Sequence, residues 1–150
     1  MLLQFLVGAL VSVVNIGVHA LVTVIAIWIA RSAGLREVER PRFHLMGVMM
    51  ATAAALMVAH TLETLVWAWT YHIIQAAAAP VGDLLYFAFV NYTTLGYGDI
   101  TPVREWRLIG PLTAMNGVLL FGWSAAVLFE VLRKTLDYLA ASKAPGFTGP

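Results

Sequence analysis

Three stretches of this chain are too long and too apolar for an ordinary soluble domain. Residues 2–30 contain no Asp, Glu, Lys or Arg. A helix needs about 20 apolar residues to cross a bilayer, so this run has length to spare and should tilt or enter the headgroups. Residues 43–74 and 108–132 form the second and third runs. Pro111 falls in the first turn of the third, where proline is tolerated. Only 11% of the 150 residues are charged, against about a quarter in soluble domains. The chain has no cysteine, which excludes disulfides and thiolate metal sites.

The first run starts at Met1 without a basic segment before it and is longer than the apolar core of a signal peptide, so it is expected to be retained. Residues 31–42 hold Arg31, Arg36, Arg40 and Arg42 against Glu37 and Glu39. Short basic loops stay in the cytoplasm. The third run ends at Arg133 and Lys134, also basic. The expected topology is multi-pass in the plasma (inner) membrane, with the N-terminus outside and the C-terminus cytoplasmic. Arg104 and Arg107, on the outer side, run slightly against this charge pattern.

Between the second and third runs lies a stretch that cannot span. Asp83 is a suitable N-cap for a helix through Thr93. Such a helix is about 16 Å long at 1.5 Å per residue, half of the roughly 30 Å core. Glycine-rich sequence follows it. Irregular backbone at membrane depth is tolerated only where protein buries it or it lines water. A span, a re-entrant helix, a glycine loop and a span together make a pore candidate.

The loop reads Thr93-Thr94-Leu95-Gly96-Tyr97-Gly98-Asp99. A dehydrated cation needs oxygens in place of its water, and rings of backbone carbonyls supply them. An ordinary strand alternates its carbonyls. Turning them all to one side requires alternate residues in the left-handed region, which glycine reaches freely. Gly96 and Gly98 occupy alternate positions. The carbonyls of Thr94, Leu95, Gly96 and Tyr97, with the Thr94 hydroxyl, would form stacked rings. Leu95 and Tyr97 would turn their side chains away, and Tyr97 would brace the loop against the aromatic residues of the short helix, Tyr86, Phe87, Phe89 and Tyr92. The C-terminal end of that helix carries partial negative charge and favours a cation below the loop.

These seven residues, with Ile100-Thr101-Pro102 after them and the aromatic helix before them, resemble the signature of the tetrameric potassium-channel superfamily. The resemblance is to the small bacterial two-helix-pore type, with an extra N-terminal transmembrane helix. It implies an all-α membrane protein with three transmembrane helices, a re-entrant pore helix and a selectivity-filter loop, assembled as a tetramer. Residues 1–30 are then the extra helix, 31–42 a cytoplasmic linker and 43–74 the outer pore helix. Residues 83–103 are the pore helix and filter, 108–134 the inner pore-lining helix and 135–150 a short cytoplasmic tail. The implied function is a homotetrameric, potassium-selective channel that conducts K+ passively. Thr94, Leu95, Gly96 and Tyr97 coordinate the ion, with Thr93, Gly98 and Asp99 as filter support. Two positions depart from the pattern. Leu95 stands where valine or isoleucine is commoner. Val90 stands where some bacterial members carry a glutamate that bonds the outer aspartate, so Asp99 needs another partner. A weakly selective cation channel and a potassium transporter subunit are the alternatives; a single filter segment with two glycines speaks against the transporter.

A closed carbonyl ring needs several strands around an axis, and the chain has one such segment and no internal repeat. Identical copies related by cyclic symmetry follow. On the third run, Gly117 is either a hinge or a packing site, and at least one of Thr113, Asn116 and Ser124 is expected to face an aqueous cavity. Trp123 and Phe129 either narrow the inner mouth or pack on lipid or the second run.

The first two runs carry polar stripes. Gln4, Gly8, Ser12, Asn15 and His19 recur every three or four residues. His60 and Glu63 share a face with Trp67 and Tyr71. The two stripes should face each other, with His19 and His60 as partners of Glu63. Ionisable residues in a membrane are suspected of function. Three readings stay open: an interhelical hydrogen-bond network, proton sensing by histidine and a metal site of two histidines and a carboxylate. No arginine-every-third-residue pattern marks a voltage sensor. No catalytic set supports an enzyme, and no cofactor beyond K+ is expected. The expected partners are membrane lipid and further copies of the chain.

Overall fold

A computed structural model describes residues 1–34 and 41–141. Four helices and a short turn make up the described chain: α1 (Leu2–Gly34), α2 (Pro41–Ile73), α3 (Val81–Tyr92), a 3₁₀ turn (Arg104–Trp106) and α4 (Ile109–Ala141). Three of the helices are long and apolar enough to cross a membrane. Helix α3 has 12 residues, about 18 Å at 1.5 Å per residue, and stays too short to span. The fold is therefore all-α. Helices α1 and α3 each pack against both α2 and α4.

The burial pattern is the reverse of a soluble bundle. On α1 the buried residues include Gln4, Gly8, Val11, Asn15, His19, Thr23 and Ala26, a single stripe at three- and four-residue spacing. Leu3, Leu6, Leu10, Val13, Leu21 and Val24 are exposed on the opposite side. In lipid, apolar side chains have no reason to turn inward, and polar ones have every reason to find each other. Helix α2 repeats the rule: Thr52, His60, Glu63, Thr64, Trp67 and Tyr71 point inward while Met50, Met57, Val58 and Trp69 face out.

Several boundaries differ from expectation. Helix α3 starts at Val81, before Asp83, and its N-cap is Pro80 with no side-chain cap bond. Asp83 lies instead in the first turn, where its carboxylate still favours the positive end of the helix. Helix α4 does not end at Arg133 and Lys134 but continues to Ala141, seven residues into the expected tail. Glu130 pairs with Arg133 at 2.9 Å and Lys134 at 3.1 Å, and Arg133 approaches Asp137 at 3.8 Å. These pairs at helical spacing support the extra turns. Residues 35–40 of the expected linker and 142–150 of the expected tail lie outside the described residues.

The junction of α3 and α4 is close. A Cβ on Gly117 would lie 2.0 Å from the Tyr92 carbonyl oxygen. No side chain fits there, so at Gly117 packing accounts for the glycine. The chain returning from the loop is tied down where Val103 N–H donates to Ala76 O at 2.8 Å.

Candidate functional site

The loop begins where α3 runs out of carbonyl partners. Thr93 N–H donates to Phe89 O at 2.9 Å, Thr94 N–H to Asn91 O at 3.0 Å and Leu95 N–H to Val90 O at 2.9 Å. Gly96 N–H also reaches Val90 O, at 3.3 Å. The last carbonyls of the helix thus turn back the first residues of the loop. The Thr93 hydroxyl adds a bond to Phe89 O at 2.7 Å.

From there the backbone alternates. Thr94 has φ +62°, Gly96 φ +59° and Gly98 φ +78°, while Leu95 and Tyr97 between them have negative φ. The two glycines were legible from sequence. Thr94 was not, because a β-branched residue rarely enters this region; left-handed backbone costs an L-residue about 1–2 kcal/mol. A repeat of left- and right-handed residues turns successive carbonyls to the same side, as a stack of cation ligands requires.

Residues 94–99 are all exposed in the single chain. Leu95 is 58% and Tyr97 67% exposed. Tyr97 does not brace its own pore helix as expected. Phe87 and Tyr92 turn inward instead, and Tyr86 is engaged elsewhere: its hydroxyl donates to Asp99 Oδ2 at 2.6 Å. Asp99 Oδ1 accepts from Ile100 N–H at 3.1 Å. Tyr86 is therefore the partner that Asp99 lacks at Val90. The bond holds the Asp99 carboxyl below its ordinary value, and the same carboxylate pushes the Tyr86 hydroxyl up to about 12.

A second cluster lies deep among the helices. Glu63 Oε1 meets His19 Nδ1 at 2.8 Å and Oε2 meets His60 Nδ1 at 3.1 Å. The Tyr92 hydroxyl, from the last residue of α3, donates to Oε2 and lies 2.9 Å from His60 Nδ1. Ser124 Oγ on α4 closes the far side, 2.9 Å from His60 Nε2 and 3.4 Å from His19 Nε2. Phe121 and Trp123 cover the imidazoles, with centroids 4.6 Å from His60 and 5.4 Å from His19 respectively. The facing stripes and both partners of Glu63 are as expected.

Above this cluster, Asn15 Nδ2 donates to Asn116 Oδ1 at 3.0 Å and to Glu63 O at 3.2 Å. Trp67 Nε1 donates to the same Asn116 oxygen at 3.0 Å. Tyr71 and Thr113 share a hydroxyl pair at 2.6 Å. Gln4 Oε1 accepts from Leu108 N–H at 2.9 Å and ties the start of α1 to the approach of α4. Thr113, Asn116 and Ser124 are thus all buried against α1 and α2, and none of them faces a cavity. Each bonds a partner on the first two helices, while Asn116 Nδ2 is buried without a hydrogen-bond partner. Trp123 is exposed although its ring meets His19, and Phe129 is 68% exposed on the outer surface of the chain.

A short helix that stops inside the bundle, a loop of alternating handedness and two flanking spans define a pore-forming membrane protein. The chain matches the ion-channel family over residues 59–134, half of its length, and belongs to that family. The match takes in the second half of α2, all of α3, the loop and α4 up to Lys134; α1 lies outside it. No curated protein and no solved structure matches the chain. The protein is thus a multi-pass ion channel, and its family points to a transport role and not an enzymatic one.

Proposed function

We propose that the protein is a potassium-selective channel, formed by four copies around an axis that passes in front of residues 94–97. The observation that carries the reading is the alternation of positive φ at Thr94, Gly96 and Gly98. Thr94, Leu95, Gly96 and Tyr97 then present carbonyl oxygens to K+, the transported ion, in place of its water. Gly98 lets the backbone turn outward, and Asp99, kept ionised by Tyr86, adds negative charge at the mouth. Thr93 anchors the entry to the loop through Phe89 O. No single chain closes such a ring, and the exposure of Leu95 and Tyr97 supports neighbouring copies as the surfaces that cover them. By the charge of residues 31–42 and of Arg133-Lys134, the loop opens outward across the plasma (inner) membrane, with the C-terminus cytoplasmic.

The test is potassium flux from liposomes that carry the purified protein, with sodium as competitor and Gly96→Ala as control. Potassium flux that excludes sodium and disappears in the variant is the expected result. Equal potassium and sodium fluxes would make the protein a weakly selective cation channel instead.

A further inference from the structure

The buried cluster is a closed ring: Glu63 to His19, His19 to Ser124, Ser124 to His60 and His60 back to Glu63. One ligating atom each from His19, His60 and Glu63 lies within 4.8 Å of the other two. Both imidazoles turn Nδ1 to the carboxylate, His19 to Oε1 at 2.8 Å and His60 to Oε2 at 3.1 Å. A tetrahedral zinc ion with bonds of about 2.0–2.1 Å sets neighbouring ligand atoms about 3.3 Å apart. The two nitrogen–oxygen separations fall within about 0.5 Å of that edge.

Two features beyond the three donors fit an ion. The first stands behind the imidazoles. A histidine bound to a metal through one nitrogen donates its other N–H to an oxygen, which fixes the ring. Ser124 Oγ lies 2.9 Å from His60 Nε2 and 3.4 Å from His19 Nε2, so one hydroxyl meets both rear nitrogens. Its oxygen has two lone pairs and accepts both bonds. The second is the fourth position, which three protein ligands leave in a tetrahedral shell. The Tyr92 hydroxyl bonds Glu63 Oε2 and lies 2.9 Å from His60 Nδ1, on the ligand side of the ring. Hydrogen bonds hold all these donors in place without an ion, so the site is preformed. Burial adds a demand for positive charge. Glu63 is 0% exposed, a buried carboxylate needs a compensating partner, and its two partners are histidines and not fixed cations. Ligand type then selects the ion. Two imidazoles and a carboxylate suit zinc and its transition-metal neighbours, whereas Mg2+ and Ca2+ take oxygen. Zinc accepts four close ligands without a geometric preference of its own, which fits a site covered by Phe121 and Trp123.

We infer that His19, His60 and Glu63 form a binding site for one Zn2+ ion per chain, with the Tyr92 hydroxyl at the fourth position and Ser124 orienting both imidazoles. His19 comes from α1, His60 and Glu63 from α2 and Tyr92 from α3. The ion would clip α1, the helix outside the family match, to the helix end from which the loop departs. The site does not rest on the reading of that loop as a filter.

The experiment takes the full chain without a histidine tag, in lipid nanodiscs, strips it with EDTA and titrates it with Zn2+. One ion per chain is expected to stay bound through gel filtration and to raise the denaturation midpoint. X-ray absorption at the zinc edge should show two imidazoles, with all ligands nitrogen or oxygen at about 2.0–2.2 Å. Excess Mg2+ or Ca2+ should not displace the ion. His44→Gln with His72→Gln changes the chain's other two histidines and should leave the affinity as it is. His19→Gln should abolish binding. Ser124→Ala keeps every ligand and should weaken binding about 10- to 100-fold; it decides the matter if His19→Gln fails to fold. No retained zinc, equal affinity in Ser124→Ala, or a spectrum with fewer than two imidazoles would overturn the site. Zinc that is lost with His44 and His72 would belong to those residues and would overturn it as well. None of these readouts requires the channel to conduct or to select potassium.

Discussion

The loop and the buried ring stand in contrast, although Tyr92 and Thr93 join them. The ring is complete within one chain: its polar atoms meet partners from α1, α2, α3 and α4, and its residues are buried. The loop is open to its surroundings: residues 94–99 are exposed, although the N–H groups of Thr94, Leu95 and Gly96 still bond the end of α3. Three left-handed sites at alternate positions fit the proposed use of the loop by an ion and by neighbouring copies. The ring ties α1, α2, α3 and α4 together; in the proposed channel the loop is what they present to an ion and to neighbouring copies. The ring's side chains settle its geometry, whereas the loop depends on backbone conformation.

That division can be broken by substitutions in each half. The largest effect belongs to the loop. Gly96→Ala places a Cβ on a residue at φ +59°, and potassium flux is expected to fall to the background of empty liposomes while the helical circular dichroism signal stays unchanged. Glu63→Gln strikes the ring instead. It removes the charge that both histidines face, and breaking a buried pair in this way should cost about 3 kcal/mol, read as a lower denaturation midpoint of the protein in detergent.

Gly117→Ala tests the joint between the two halves. The added methyl would meet Tyr92 O, and overpacking of this kind should destabilise by about 1–3 kcal/mol. If Gly117 were a hinge and not a packing site, the same variant would leave the midpoint in place and change only gating. The smallest effect is Tyr86→Phe. Asp99 loses the bond that holds its carboxyl low. Because its folded value is depressed, its ionised state persists as pH falls until that value is reached. Without Tyr86 the acid loss of flux should move to higher pH, toward the ordinary carboxylate range near 3.9. Flux measured against outer pH in the two proteins would show the shift.

Sequence alone reached the loop further than the ring, for a physical reason. The loop's chemistry is local: glycines two apart, after a helix too short to span, carry their own geometry. Only Thr94 escaped, since its side chain argues against the conformation it adopts. The polar stripes of α1 and α2 were also legible, because helical spacing places His60 beside Glu63 and lines up Asn15 with His19. The contributions of Tyr92, Asn116 and Ser124 were not. They depend on how far α3 and α4 slide along α2, and no spacing within one helix encodes that. At least one of Thr113, Asn116 and Ser124 was expected to face a cavity because polar residues on an inner helix usually meet water; here the first two helices supply their partners. The continuation of α4 to Ala141 did have a readable signal in the spacing of Glu130 and Lys134, and of Arg133 and Asp137.

The most direct test of the account is the reversal potential of single channels in a planar bilayer, with potassium on one side and an equal concentration of sodium on the other. Carbonyl rings built from residues 94–97 predict a potential displaced toward potassium by more than about 59 mV, the value for a tenfold preference at one charge. A reversal potential at zero, with robust current through the wild-type protein, would contradict it.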